Sequence, residues 1–256
     1  MTASASILVV DDEVDTCRNL SDILTDLGYH VDTAHDGPTA LELARKKCYD
    51  IALLDLKMPG MDGLTLYRQL RQLCAETVAI VVTAYASKAT AEEALVAGAW
   101  QVLPKPVDFP RLLALVEEAL GQPLILIVDD DPDLCCNLWD LLRDRAYRVA
   151  VAYDEAEAAR LLQNHAFRIV LIDMKLPRGD GRGVFQRVRQ TNPQARTVVI
   201  TGHRLEMDPV IQQVLAEGAD AVCYKPFDVP ALLSTLQRLT AEHAPPSQEG
   251  KNAVRD

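Results

Sequence analysis

The sequence predicts two consecutive α/β domains, each a doubly wound parallel sheet of five βα units. Three observations carry this. The chain repeats itself: Ile7-Leu8-Val9-Val10-Asp11-Asp12 returns as Ile125-Leu126-Ile127-Val128-Asp129-Asp130, an offset of 125 − 7 = 118 residues. Within each copy, short β-branched runs alternate with stretches of helical spacing, the pattern of βα units and a parallel sheet. The runs at 6–10, 50–54 and 78–82 are almost wholly apolar, as strands buried on both faces must be.

In the first copy the strands are expected at 6–10, 30–34, 50–54, 78–82 and 101–103, and the helices at 14–27, 37–47, 62–73, 87–97 and 109–120. Leu20, Ile23, Leu24 and Leu27 have helical spacing, and Gly28 supplies a left-handed stop. In the second copy strands are expected at 124–128, 148–152, 168–172, 197–201 and 221–223, with helices between them and a last helix over 228–241. The linker Gly121-Gln122-Pro123 separates a first domain, 1–121, from a second, 124–242. Residues 243–256 are polar and are expected to form a disordered tail.

Bulk composition excludes several classes. A net charge of −11 argues against direct binding of nucleic acid, which needs clustered Lys and Arg. No apolar stretch reaches the roughly 18 residues of a membrane span, and the first six residues lack the pattern of a signal peptide, so a cytoplasmic location is expected. The six cysteines show no metal-type spacing. They are expected to be reduced thiols, mostly in or near cores, and neither ligands nor bridges.

In a doubly wound sheet, ligands bind at the carboxyl edge near the point where strand order reverses. Asp11, Asp12, Asp55 and Thr83 should converge there, as should Asp129, Asp130, Asp173 and Thr201. Three carboxylates in one place must protonate or bind a cation: two unit charges about 4 Å apart repel by roughly 4 kcal/mol at an effective dielectric of about 20. Hard oxygen ligands on an open edge suit Mg²⁺. Lys105, in Leu103-Pro104-Lys105-Pro106, supplies another positive charge, as Lys225 does in the second copy. Three Asp, one Lys and one Mg²⁺ sum to zero, a resting state suited to receiving a phosphoryl group. Asp55 is then a plausible nucleophile, forming an acyl phosphate while metal and Lys stabilise the transferring oxygens. Thr83 could hydrogen-bond a phosphoryl oxygen, and the small Ala84 (Gly202 in the second copy) leaves access. The peptide bonds to Pro106 and Pro226 are expected to be cis, aiming each Lys.

The set resembles the receiver domain of two-component response regulators (CheY-like). It comprises the acidic pair, an Asp followed by Lys-x-Pro-x-x-Asp-Gly (Arg178 and Gly179 fill the variable positions of the second copy), Thr followed by a small residue, and Lys-Pro. The resemblance spans about 6–120 and 124–241. It implies two consecutive flavodoxin-like (βα)5 domains with sheet order 2-1-3-4-5. It implies one Mg²⁺ or Mn²⁺ per domain, held by Asp11, Asp12, Asp55 and the Lys57 carbonyl, and by Asp129, Asp130, Asp173 and the Lys175 carbonyl. It implies phosphoryl transfer to Asp55 and Asp173 from a histidine kinase or histidine phosphotransfer protein, and signalling to a downstream protein target. No enzymatic or DNA-binding output domain is expected, and a homodimer stays open.

The copies depart from the family pattern and from each other. The family often places Tyr or Phe three residues before the Lys; here Val102 and Val222 stand there. Thr-to-Lys spacing is 105 − 83 = 22 in the first copy and 225 − 201 = 24 in the second, the extra residues falling in 202–209. Lys57 and Lys175 either tune dephosphorylation or are solvated charges. Tyr85 and His203, two past each Thr, either gate water or do not. Three other readings compete. The chain could be a receiver fragment of a larger hybrid kinase or regulator, or one receiver could serve only as a dimerisation scaffold. A haloacid-dehalogenase-type phosphatase is disfavoured, because Lys57 and Lys175 stand where its general acid would be.

Overall fold

The computed structural model describes residues 5–177, 179–202 and 208–241. They form two five-stranded parallel sheets. The first has the order β2-β1-β3-β4-β5, built from β1 (Ser6–Val10), β2 (His30–Ala34), β3 (Ile51–Leu54), β4 (Val78–Thr83) and β5 (Gln101–Pro104). Its helices are α1 (Val14–Asp26), α2 (Gly37–Lys46), α3 (Gly63–Leu73), α4 (Lys88–Val96) and α5 (Phe109–Gly121).

The second sheet has the order β7-β6-β8-β9-β10. Its strands are β6 (Leu124–Val128), β7 (Arg148–Ala152), β8 (Ile169–Asp173), β9 (Arg196–Thr201) and β10 (Ala221–Tyr224). Its helices are α6 (Pro132–Arg143), α7 (Glu155–Asn164), α8 (Gly181–Thr191), α9 (Asp208–Ala216) and α10 (Val229–Ala241). In each copy the order is 2-1-3-4-5, as the resemblance to receiver domains implies. The tail from 242 onward lies outside the described residues.

Period-two alternation divides the first core. Ile7, Val9, Ile51 and Leu53 face α1 and α5, meeting Leu20, Leu24, Leu112 and Leu115. Leu8, Val10, Ala52 and Leu54 face the other way and meet Leu41 of α2 and Leu66 and Leu70 of α3. Both faces of β1 and β3 are therefore covered, and after Ser6 at the start of β1 no polar residue interrupts either strand before Asp11 and Asp55.

Gly28, at φ +92°, ends α1 in the left-handed region, with Gly28 N–H donating to the Thr25 carbonyl at 2.8 Å. The equivalent position in the second copy is Ala146, which holds φ +63°. A Cβ there costs about 1 kcal/mol that glycine would not incur.

One expectation fails. Cys48 and Cys74 are joined by a disulfide, with Cα atoms 5.6 Å apart. The pairing is hidden in the sequence because 26 residues separate the two; the fold brings the α2–β3 connection against the end of α3. Cys17, Cys135, Cys136 and Cys223 are free thiols.

Candidate functional site

The carboxyl ends of β1, β3 and β5 build the first site. Asp11 follows β1 directly, and Asp55 follows β3. Asp11 is 2% exposed and Asp55 7%, while Asp12 points to solvent. One carboxylate oxygen from each of Asp11, Asp12 and Asp55 lies within 4.8 Å of the other two, as does one from each of Asp129, Asp130 and Asp173. Lys105 Nζ bridges the buried pair, 2.7 Å from Asp11 Oδ2 and 2.9 Å from Asp55 Oδ2. Lys225 Nζ does the same at 2.6 Å from Asp129 Oδ2 and 2.7 Å from Asp173 Oδ2.

Backbone geometry aims each group. Lys105 N–H donates to the Thr83 carbonyl at 2.9 Å, and Lys225 N–H to that of Thr201 at 2.8 Å. Both Lys-Pro peptide bonds, to Pro106 and Pro226, are cis. The second carboxylate oxygen of each buried Asp is held from behind. Asp11 Oδ1 accepts from Glu13 N–H at 3.0 Å, and Asp55 Oδ1 from Lys57 N–H at 3.3 Å. Asp129 Oδ1 accepts from Asp131 N–H and Asp173 Oδ1 from Lys175 N–H, each at 3.1 Å. Asp12 does not cap α1; the cap position is Glu13, whose side chain makes no capping bond.

The electrostatics follow from burial. Desolvation is the largest effect on Asp11 and outweighs the hydrogen bonds from Lys105 and Glu13, so its pKa rises above the ordinary carboxylate value. Asp129 is raised for the same reason against Lys225 and Asp131. Burial acts on Lys105 in the opposite sense, favouring the neutral amine. The Asp11 and Asp55 carboxylates together overcome it and hold the lysine pKa above its usual value. Lys225 behaves likewise between Asp129 and Asp173. With three carboxylates and one ammonium, each site carries a formal −2, the charge of one divalent cation. An all-oxygen, partly open donor set of this kind fits Mg²⁺.

Thr83 and Thr201 are buried at the ends of β4 and β9. Thr83 Oγ1 accepts from Tyr85 N–H at 3.1 Å. Ala84 and Gly202 beside them are exposed. Lys57 Nζ sits 3.9 Å from the centre of the Tyr85 ring, a cation–π contact at the mouth of the first site. His203, the second-copy counterpart of Tyr85, lies outside the described residues.

Three features escaped the sequence reading. Asp62 and Asp180 cap α3 and α8, accepting from Thr65 N–H at 2.7 Å and Gly183 N–H at 2.6 Å. Gly63 and Gly181 press against the backbone of Asp55 and Asp173, where no side chain fits. Cys17 and Cys135 donate their thiols to the carbonyls of Asp11 and Asp129 at 3.3 and 3.4 Å. Burial pushes these thiols up to about 11 and about 12, so they stay protonated donors. The Asp-Gly step and the repeated Cys were the available signals.

The response regulator receiver domain matches residues 7–117 and again 125–237. The chain belongs to that family and carries its regulatory domain twice. A response regulator receiver protein of Anaeromyxobacter sp. strain Fw109-5 is 37% identical over 235 residues, covering 92% of this chain and 95% of that protein. Transcriptional regulatory protein ZraR of Escherichia coli O157:H7 is 40% identical over 120 residues, which is 47% of this chain and 27% of ZraR. Among solved structures, a CheY-like receiver domain protein from Methanospirillum hungatei JF-1 is 32% identical with a TM-score of 0.45, covering 46% of this chain and 94% of that one.

Proposed function

We propose that the chain is a phosphoacceptor of a two-component or phosphorelay pathway, with Asp55 and Asp173 as the two acceptors of receiver domains 1–121 and 124–242. The observation that carries this is the lysine bridging two buried carboxylates from different strand ends, built twice. The donor would be a histidine kinase or histidine phosphotransfer protein, and the output a contact with a downstream protein. No described helix is long and apolar enough to cross a membrane.

Each residue has a role in the transfer. A carboxylate oxygen of Asp55 attacks phosphorus while the donor's phosphorus–nitrogen bond breaks in line, leaving an acyl phosphate. Asp11, Asp12, Asp55 and the Lys57 carbonyl would hold Mg²⁺, which neutralises charge on the phosphoryl oxygens. Lys105 stays cationic and turns from the Asp55 carboxylate to a phosphoryl oxygen. Thr83 offers its hydroxyl to another, and Ala84 keeps the approach open. In the second domain Asp129, Asp130, Asp173, the Lys175 carbonyl, Thr201, Gly202 and Lys225 take the same parts. Incubating the full chain with a small-molecule phosphodonor and Mg²⁺, then weighing it intact, tests the reading: two phosphoryl groups are expected. An unlabelled protein under conditions that label an ordinary receiver domain would sink it.

Two further outcomes follow from the site. A carboxyl whose folded pKa is raised contributes stability below its unfolded pKa and loses that contribution as pH rises through the folded value. Asp11 and Asp129 therefore contribute less stability at neutral pH than in acid. Mg²⁺ at about ten times its Kd should restore about 1.4 kcal/mol, or roughly 5 °C in Tm, at pH 7. The gain should fade as the pH drops through the raised values and the ligands protonate. A Tm gain independent of pH would contradict this.

The second outcome concerns Tyr85. Truncating its ring (Tyr85→Ala) removes the cover over Lys57 and opens the mouth of the first site. The Asp55 acyl phosphate should then hydrolyse about 2–5-fold faster, the scale of an exposed cation–π contact. The decay of the single label in an Asp173→Asn background measures it, and an unchanged lifetime would leave Tyr85 without a gating role.

A further inference from the structure

In the second receiver domain, one amide ties the end of the third helix to the connection between second helix and third strand. Asn192 caps α8, donates Nδ2 to the Leu162 carbonyl at 2.9 Å, and accepts from Phe167 N–H at 3.2 Å. The equivalent residue of the first domain is Cys74 (192 − 118 = 74), the cap of α3. Its sulfur lies 3.8 Å from the Ala44 carbonyl, and Ala44 is the counterpart of Leu162. It is bonded to Cys48, whose counterpart is Ala166 (48 + 118 = 166). The same structural tie is thus a fixed hydrogen-bonding amide in one domain and a sulfur–sulfur bond in the other.

We propose that Cys48–Cys74 is a reversible thiol–disulfide site, with a cellular dithiol as its chemical partner, that sets how firmly α2 and α3 are fastened in the first receiver domain. Accessibility sets the order of steps. Cys48 is half-buried, whereas Cys74 is only 3% exposed. One thiolate of the dithiol attacks Cys48 Sγ, forming a mixed disulfide and expelling Cys74 as a thiolate. Cys74 takes up a proton, and its new S–H can donate to the Ala44 carbonyl, as the Asn192 amide does to Leu162. The dithiol's second thiolate then attacks its own sulfur in the mixed disulfide and releases Cys48, which is protonated in turn. Two electrons and two protons have passed to the protein, and the dithiol has become a disulfide.

Both cysteines lie at the amino edge of the sheet, Cys48 before β3 and Cys74 before β4, away from the carboxyl edge that carries Asp55. The redox state can therefore be read without reference to phosphorylation. The bond closes a loop with a sequence separation of 26, so breaking it frees the unfolded chain and loosens residues 44–50 and 72–78.

The test uses the full chain under native conditions. Dithiothreitol treatment, alkylation and peptide mass mapping should show Cys48 and Cys74 paired before reduction and both alkylated after it. Reduction should lower the thermal transition of the first domain by about 10 °C and speed amide exchange in 44–50 and 72–78. The double variant Cys48→Ala with Cys74→Asn installs the second domain's pair, and its transition should not respond to dithiol. Six free thiols in the air-exposed protein would overturn the proposal, as would a bond that yields only after denaturation. A native reduction that leaves both transition and exchange unchanged would overturn it too.

Discussion

Replacing Asp55 by Asn is expected to remove one of two phosphoryl groups, Asp173→Asn the other, and the double variant should take up none. The amide keeps the shape of the carboxyl but lacks the anionic nucleophile, so labelling at that position falls to zero rather than by a factor. The variants should remain folded. Each Asp is partnered by a lysine that has a second carboxylate to hold, Asp11 for Lys105 and Asp129 for Lys225. Removing the Asp55 charge also relieves repulsion among three carboxylates whose oxygens lie within 4.8 Å. An unchanged or slightly raised Tm is expected, which separates loss of chemistry from loss of fold. Intact mass after phosphodonor treatment distinguishes the cases. Label that persists in the double variant would place the acceptor elsewhere. If only one single variant loses label, the other copy is the scaffold of the competing reading.

The fold was legible because its signals are local. Each strand and helix boundary named in the sequence falls within one residue of the observed one, from β1 at Ser6–Val10 to α10 at Val229–Ala241. Apolar runs, helical spacing and a stop at Gly28 each act over a few residues. The acidic pairs, Asp55, Asp173, Lys105 and Lys225 were legible for another reason: topology alone brings carboxyl ends of neighbouring strands together.

What stayed hidden depends on pairs distant in sequence. The Cys48–Cys74 bond is one case. A second is a complementary exchange between the copies. Gly37 leaves room for Met61, whose Sδ would lie 2.6 Å from a Cβ at 37. At the equivalent positions Glu155 replaces Gly37 and Gly179 replaces Met61 (37 + 118 = 155; 61 + 118 = 179). There the Glu155 side chain fills the space, with its Cβ 3.1 Å from a built Cβ at 179. Each substitution looks arbitrary alone, and together they conserve volume at one contact.

Gly63→Ala and Gly181→Ala should each destabilise their own domain by about 3 kcal/mol, roughly a hundredfold in the folding equilibrium, at the upper end for overpacking a filled site. Each glycine opens a helix directly after its capping Asp, a position where alanine is normally the better residue. Here the added methyl meets backbone rather than a side chain that could turn aside. At 63 it would fall well inside contact distance of the Asp55 carbonyl oxygen, with Asp55 C at 2.9 Å and Leu56 Cα at 3.0 Å. At 181 it would meet Met174 Cα at 2.7 Å and Asp173 C at 2.9 Å. Relief requires either the helix start or the acceptor strand end to move, and the second option shifts the carboxylate that Lys105 or Lys225 must reach. Lower stability and slower phosphodonor labelling should therefore appear together and in the same domain. Gly121→Ala is the control: a Cβ there meets nothing within 4 Å, so it should be neutral or stabilise by a few tenths of a kcal/mol. Chemical denaturation of all three variants, read beside their labelling rates, decides the matter. If Gly63→Ala matches Gly121→Ala in both, the close approach of α3 to Asp55 does not constrain the site.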